Sequence, residues 1–216
     1  MKNNNKIFLG EFIASCFLVM VIVGSGIMAE NLTNDNAVRL LANTIATGAG
    51  LFVLITSFAN ISGAHLNPFV SLSMYLTKKI KGKELLTYVP AQILGCLLGV
   101  MLANVFFEHN IIELSTKNRD GFHIFLSEIV ATFGLIFIIF ATLKDGKHTV
   151  AACVATYISA GYWFTSSTSF ANPAVAIART FTDSFTGINY LNTPTYIFAE
   201  LLGTIAAVYI IKRLIK

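Results

Sequence analysis

The chain has 216 residues, 55% of them hydrophobic and only 12% charged, with a mean hydropathy of +0.71. Soluble domains usually carry about 25% charged residues, so this composition leaves too little polar surface for a water-soluble fold. The length suffices for about six membrane spans of roughly 20 residues with short loops. We therefore predict an all-α membrane protein with a single domain, 1–216.

Long apolar stretches predict the spans in chain order. There are six of them, at approximately 7–29, 38–60, 84–107, 122–143, 148–168 and 194–213. Two further apolar segments, 67–79 and 172–183, contain only about 12 residues, which as a helix rise ~18 Å. A hydrocarbon core is ~30 Å thick, so these two segments are too short to cross it.

The basic residues predict the orientation. With a cytoplasmic N-terminus, eleven of the 15 Lys and Arg residues fall inside, namely Lys2, Lys6, Lys78, Lys79, Lys81, Lys83, Lys144, Lys147, Lys212, Arg213 and Lys216. The other four fall outside, namely Arg39, Lys117, Arg119 and Arg179. This positive-inside bias predicts a multi-pass protein of the cell (inner) membrane with both termini cytoplasmic. Because orientation accounts for the basic excess, no nucleic-acid partner is indicated.

The chain also repeats itself. Three features recur in the same order, 105 to 117 residues apart: Glu11 and Glu128, Asn67-Pro68 and Asn172-Pro173, and the stretches that begin at Tyr88 and Tyr196. Each half, about 1–115 and 116–216, holds three spans. An odd number inverts the second half relative to the first and places the two short segments on opposite sides of the membrane.

Each short segment begins with Asn-Pro. Asn is a preferred N-cap and Pro fits the first helical position, so Asn67 and Asn172 each predict the start of a short helix. The inverted repeat brings these starts together near the membrane midplane. The preceding stretches, a first loop (62–66) and a second loop (167–171), are not helical in character. Non-helical backbone at membrane depth is tolerated only against protein or water, so we expect their carbonyls to line a wet path.

These motifs resemble the two signature loops of the aquaporin (major intrinsic protein) family, and Glu11 and Glu128 match that family as well. The resemblance implies six transmembrane helices and two re-entrant half-helices. It also implies a homotetramer in the lipid bilayer with one passive pore per subunit and no cofactor. The pore centre would comprise Asn67, Pro68, Phe69, Asn172, Pro173 and Ala174.

The resemblance also locates a selectivity filter, which takes one residue from span two, one from span five and two from the second signature loop. Counting along the chain assigns these positions to Thr47, Ala160, Ser169 and Val175, with Gly161 as the alternative to Ala160. The family's usual filter arginine follows the second Asn-Pro-Ala, where this chain has Val175. This set is small and uncharged, so we predict a wide filter, as in a bacterial subgroup linked to arsenic handling.

Two positions leave alternatives open. Arg179 lies one helical turn beyond Val175, so it either reaches back over the outer mouth of the pore, or pairs with Asp183 or extends to the interface. Phe69 replaces the alanine of the first signature. Its ring either packs behind the pore or narrows it.

Ionisable residues inside apolar spans need a partner or water. Glu11 and Glu128 either form a proton path or, as the family implies, accept hydrogen bonds from the loop of their own half. His65 either lines the pore or holds the first loop in place. No three or four ligands converge in the sequence, so no metal site is expected.

The sequence therefore predicts a passive channel for water and small uncharged solutes such as glycerol, urea or a neutral metalloid hydroxide like arsenite. A strictly water-selective aquaporin is the alternative. A secondary active transporter can also use inverted repeats, but it needs a coupling-ion site. No nucleophile and base converge in the sequence, so an enzyme is not expected.

Overall fold

A computed structural model describes residues 2–214, with side chains from Asn4 onward. The described residues contain no strand and form eight α-helices: α1 (Lys2–Leu32), α2 (Asn36–Phe58), α3 (Pro68–Leu76), α4 (Gly82–Phe106), α5 (Phe122–Thr142), α6 (Lys147–Phe164), α7 (Pro173–Ala178) and α8 (Thr193–Leu214). The predicted all-α fold is confirmed. The orientation remains a prediction, and of the residues on which it rests, the Lys2 side chain and Lys216 lie outside the described part.

Five described helices are long and apolar enough to cross a membrane, namely α1, α2, α4, α5 and α8. The helix at the fifth predicted span, α6, is not among them. It has only 18 residues, and these include Lys147 and His148 at its first two positions. It nevertheless packs against α2 and α5 within the bundle, as a sixth long helix.

Small residues let the long helices pack closely. The most extensive contacts join α1 to α4 in the first half and α5 to α8 in the second. A side chain at Gly95 would collide with the Phe12 carbonyl, and one at Gly203 would collide with the Ile129 carbonyl. The two halves therefore use the same device, a glycine on one helix against the backbone of its neighbour.

The two short helices begin where the sequence predicts and end earlier. α3 has nine residues, and the chain leaves it at Thr77 and Lys78, where Lys78 adopts a positive φ of 62°. α7 has six residues and continues as a 3-10 turn, Arg179–Phe181. α3 packs on α4 and α8, and α7 packs on the same two long helices. Each short helix therefore contacts both halves of the chain.

Candidate functional site

Asn67 and Asn172 cap the two short helices in the same way. Both have an extended backbone, and the Oδ1 of Asn67 accepts the Phe69 N–H at 2.8 Å. The Oδ1 of Asn172 accepts the N–H groups of Ala174 at 3.1 Å and Val175 at 3.4 Å. Because an N-cap side chain is fixed by these bonds, both amide nitrogens have a set direction.

The two asparagines also join the halves of the molecule. Asn67 Nδ2 donates to the carbonyl of Ala171 at 2.6 Å, and Asn172 Nδ2 donates to the carbonyl of Leu66 at 2.8 Å. An amide nitrogen has two hydrogens, and these bonds use one on each side chain. The second N–H of each asparagine is available to a solute in the cavity that both residues line.

The loops before the two asparagines share an unusual backbone. Left-handed φ values occur at equivalent positions 105 residues apart: Gly63 (95°) and Thr168 (63°), Ala64 (49°) and Ser169 (50°), and Leu66 (53°) and Ala171 (47°). A non-glycine residue in this region costs of order 1–3 kcal/mol, so the surrounding structure must hold the loops.

Glu11 holds the first loop. It is fully buried in α1, and its carboxylate accepts the N–H groups of His65 at 3.0 Å and Leu66 at 2.7 Å. The Ser62 hydroxyl donates to it at 2.6 Å, and Gln92 Nε2 donates from α4 at 2.8 Å. Hydrogen bonds to a charged acceptor are worth about 1.5–3 kcal/mol each, enough to offset the left-handed backbone.

Glu128 and Glu200 hold the second loop. Glu128 accepts the N–H groups of Phe170 at 2.9 Å and Ala171 at 2.8 Å, and Glu200 Oε1 accepts that of Asn172 at 2.9 Å. Both carboxyl groups are fully buried. Three consecutive amides are thus bound by two carboxyl groups, and Glu128 occupies the place that Glu11 has in the first half.

His65 combines the two roles left open by the sequence. Its ring stacks on Tyr88 with centroids 4.2 Å apart and an interplanar angle of 14°, and its Nδ1 lies 3.0 Å from the Ser71 hydroxyl. Tyr88 in turn donates from its hydroxyl to the carbonyl of Ser62. The His65 side chain also borders the central cavity. It therefore both anchors the first loop and faces the cavity.

A cavity of about 500 Å³ runs beside the asparagines. Five residues of α6 border it at intervals of three or four positions: Lys147, Val150, Val154, Ile158 and Tyr162. Fifteen helical steps rise about 22 Å, so the cavity follows one face of α6 along most of its length.

The cavity has one polar and one apolar wall. The polar wall comes from the two loops and their asparagines. The apolar wall comes from other helices and includes Leu18, Ile22, Leu51, Ile55, Leu135 and Ile139. A path of this kind offers hydrogen bonds on one side only, which suits small uncharged molecules with both polar and apolar surface.

Three of the four predicted filter residues border this cavity, namely Thr47, Ser169 and Val175. Ala160 does not, because it lies on the exposed face of α6. Tyr162 takes that place, with its hydroxyl 3.1 Å from Thr47 Oγ1. Counting along the chain missed Tyr162, although the apolar positions 154 and 158 indicate the same helix face.

The remaining predicted residues lie behind the cavity. Gly161 packs against Ser169, whose side chain would collide with a β-carbon there. Pro68, Pro173 and Ala174 are buried in the first turns of the short helices and do not border the cavity. The half-buried Phe69 is also absent from the cavity wall, so its ring does not narrow the path.

Arg179 is buried, with 3% of its surface exposed, and borders the cavity beside Tyr162. Its Nε donates to the carbonyl of Thr186, and its guanidinium carbon lies 3.5 Å from the centroid of the Phe170 ring. Asp183 accepts instead from the Thr116 N–H at 2.8 Å. Arg179 is therefore held over one end of the cavity, termed the outer mouth, rather than paired with Asp183.

The segment between α4 and α5 places two cations near Phe170 and the segment before α8. The sequence analysis assigned neither of them to the site. Arg119 lies 5.4 Å from the Phe170 centroid and donates from Nε to the carbonyl of Gly187 at 2.8 Å. Lys117 Nζ donates to the carbonyl of Phe185 at 2.8 Å. Burial, with the charge of Arg119 as a second cause, lowers the pKa of Lys117 to about 8.

Across residues 4–214, no three His, Cys, Asp or Glu side chains lie close enough to hold a metal ion. Beside the asparagines, the polar groups of the cavity wall are amides, hydroxyls, the His65 imidazole and the Arg179 guanidinium, which bind neutral solutes through hydrogen bonds.

Comparisons with known proteins agree with this geometry. Residues 1–164 match the family model "Major intrinsic protein". The chain is 45% identical to the aquaglyceroporin AqpS of Rhizobium meliloti (strain 1021) over 96% of this chain and 89% of that protein. It is 30% identical to the probable aquaporin TIP2-2 of Oryza sativa subsp. japonica, over 92% and 82% of the two chains.

A solved structure shows the same fold. The aquaglyceroporin from Plasmodium falciparum superposes with a TM-score of 0.75, at 22% identity, over 98% of this chain and 97% of that one. Members of the matched family are passive channels rather than enzymes. The chain therefore belongs to the major intrinsic protein family, whose aquaporins and aquaglyceroporins are membrane channels for water and small solutes.

Proposed function

We propose that the protein conducts water together with small uncharged solutes, such as glycerol, urea and neutral metalloid hydroxides like arsenite. The flow is passive, through one pore per subunit of a homotetramer in the cell (inner) membrane, with both termini cytoplasmic. The pore lies between two inverted halves, about 1–115 and 116–216. The similarity to a bacterial aquaglyceroporin supports this choice of solutes.

The observation that carries the proposal is Val175 on the cavity wall. Together with Thr47 it gives the filter one hydroxyl and an aliphatic surface, whereas the Ser169 hydroxyl is buried against Gly161. A long charged side chain at position 175 would fill the path directly after Asn172. Valine leaves that volume to the solute, which favours the passage of molecules larger than water.

The outer mouth adds hydrogen-bond donors beyond the space that valine leaves at position 175. Arg179 Nε is occupied by Thr186, and within the described part of the chain its terminal nitrogens have no acceptor. They therefore face the cavity as donors for a hydroxyl or carbonyl oxygen. Tyr162 and Thr47 offer hydroxyls beside them. A polyol or urea can exchange its water shell for these groups.

The centre supports a path for neutral molecules. Each asparagine has one unused N–H, and both short helices begin at this level. Their N-termini have partial positive charge, which repels cations and protons. Glu11 and Glu128 are occupied by backbone amides of the loops, so their contacts favour a structural role over a proton path.

A strictly water-selective channel is the second candidate, and Arg179 favours it. A guanidinium and a tyrosine both border the path at the outer mouth, where they add positive charge and bulk. In that case Arg179, from the second turn after Asn172, would exclude larger solutes despite Val175.

Purified protein in proteoliposomes distinguishes these candidates. We expect light-scattering traces in which water, glycerol, urea and arsenite all equilibrate faster than in protein-free vesicles. If only water permeation increases, the wide-filter proposal is overturned and the water-selective candidate holds. Accumulation of a solute against its gradient, abolished by an uncoupler, would instead establish an active transporter.

A further inference from the structure

The residue of the first half that corresponds to Glu200 carries an amide group and not a carboxyl group. By the repeat, Glu200 corresponds to Gln92, whose Nε2 donates to Glu11 Oε2 at 2.8 Å. In the second half, Glu128 and Glu200 accept the N–H groups of the consecutive residues Ala171 and Asn172, which makes their carboxyl groups neighbours. An amide donor beside a carboxylate is therefore replaced by a second carboxyl group at the same place.

Two ionised carboxylates are not compatible with this site. Glu128 and Glu200 both have no exposed surface, and two negative charges in contact in a low-dielectric interior cannot both remain ionised. One proton between them removes the repulsion and supplies the donor that the contact otherwise lacks.

The hydrogen bonds decide which residue holds the proton. Both oxygens of Glu128 accept a backbone N–H, from Phe170 and Ala171, so neither is free to carry a hydrogen without opposing a donor. Glu200 Oε1 accepts the Asn172 N–H, whereas Glu200 Oε2 is buried without a hydrogen-bond donor. The unused oxygen is the one with space for a proton.

We infer that Glu200 is a protonated carboxylic acid that donates from Oε2 to the Glu128 carboxylate while its Oε1 accepts the Asn172 N–H. Each half then has one negative charge and one neutral donor, Glu11 with Gln92 and Glu128 with Glu200. The proton makes Glu200 a positioning residue. It fixes the backbone of Asn172, whose side chain caps α7 and reaches the Leu66 carbonyl.

This inference predicts the effects of substitution at Glu200. Glutamine offers the same two functions, a carbonyl oxygen for Asn172 and an N–H donor for Glu128, so Glu200→Gln should retain the wild-type solute flux per channel. Leucine fills the volume and offers neither, leaving the buried Asn172 N–H without an acceptor and Glu128 without the Glu200 donor, so Glu200→Leu should lose flux roughly tenfold. Glu128→Gln should also lose flux, because its amide nitrogen would oppose a backbone N–H.

Infrared spectroscopy of the purified protein tests the proton directly. We expect a protonated-carboxyl C=O band in the wild-type protein that shifts in D₂O and is absent from Glu200→Gln. A difference spectrum showing loss of a carboxylate band instead would overturn the inference, as would a Glu200→Gln flux as low as that of Glu200→Leu. The positioning role of Glu200 toward Asn172, read from solute flux, rests on the proposed channel function. The infrared band does not depend on that function. A band without any permeation would thus count against the channel alone.

Discussion

The guanidinium carbon of Arg179 lies 3.5 Å from the centroid of the Phe170 ring, and the Nε of the same arginine donates to the carbonyl of Thr186. Phe170 belongs to the second loop and Thr186 to the segment before α8. One buried cation therefore joins the loop before Asn172 to the segment before α8.

Removing this cation should widen the outer mouth. We expect Arg179→Ala to raise the ratio of glycerol to water permeability in proteoliposomes, because the substitution removes both hydrogen-bond donors and side-chain volume from the cavity wall. The Thr186 carbonyl also loses its partner, so the free energy of unfolding in detergent should fall by about 1–3 kcal/mol. The apparent melting temperature should fall with it. Arg179→Lys keeps the charge without the planar stacking surface and should give an intermediate ratio.

Arg39 provides the matched control for that experiment. It lies near the predicted outer surface and donates to the carbonyl of Thr33 at 2.7 Å, away from the cavity. Arg39→Ala should leave the solute ratio unchanged. An unchanged ratio in Arg179→Ala as well would mean that Arg179 has no part in selection.

Adding an arginine at position 175 should have the opposite effect. Val175 borders the cavity one turn before Arg179, so a long side chain at position 175 would enter the cavity that Thr47 also borders. We expect Val175→Arg to reduce glycerol, urea and arsenite flux roughly tenfold or more while sparing water. Val175→Leu adds bulk without charge, so the difference between the two variants measures the contribution of the guanidinium. Equal solute permeability in Val175→Arg and the wild type would place the filter elsewhere.

The sequence predicts the long helices well because apolar length is a local property, and Asn-Pro marks both short helices because capping is local too. Tyr162 of α6, and not Ala160, lies on the cavity wall, because rotation of α6 about its axis depends on packing against α2 and α5. Ala160 and Tyr162 differ by about 200° around that axis. The left-handed residues of the loops, such as Ala64 and Ser169, have no sequence signal, since they are held by distant carboxylates.

Replacing one central asparagine should affect both halves. Asn172→Ala removes the cap of α7, worth about 0.5–2 kcal/mol, and the bond to the Leu66 carbonyl. We expect flux of every solute, including water, to fall per reconstituted channel, with a lower melting temperature. Asn110→Ala, at an exposed position between α4 and α5, is the control for loss of an asparagine. Full permeation by Asn172→Ala would remove this residue from the pore centre.

Close helix packing should be sensitive to a single methyl group. A β-carbon at Gly95 would collide with the Phe12 carbonyl, which belongs to the α1 backbone and cannot move aside without shifting the helix. We expect Gly95→Ala to destabilise the protein by about 1–3 kcal/mol in detergent unfolding. Gly24→Ala in α1 meets only the Phe107 ring at 3.5 Å and should be neutral or stabilising, since alanine favours a helix. Equal stability of both variants would contradict the close α1–α4 contact.

Lys117 should make stability depend on pH. Burial, aided by the charge of Arg119, lowers the pKa of Lys117 from 10.5 to about 8 in the folded protein. Below about pH 8 both the folded and the unfolded state hold the proton, so the free energy of unfolding does not change through this group. Between about pH 8 and the pKa of Lys117 in the unfolded state, only the unfolded state remains protonated, so the free energy of unfolding increases with pH.

Thermal unfolding of the wild type and Lys117→Gln over this range should give a difference in stability that grows in favour of the wild type as pH rises. Lys83→Gln, at an exposed lysine, should parallel the wild type. A constant difference between wild type and Lys117→Gln would contradict the lowered pKa.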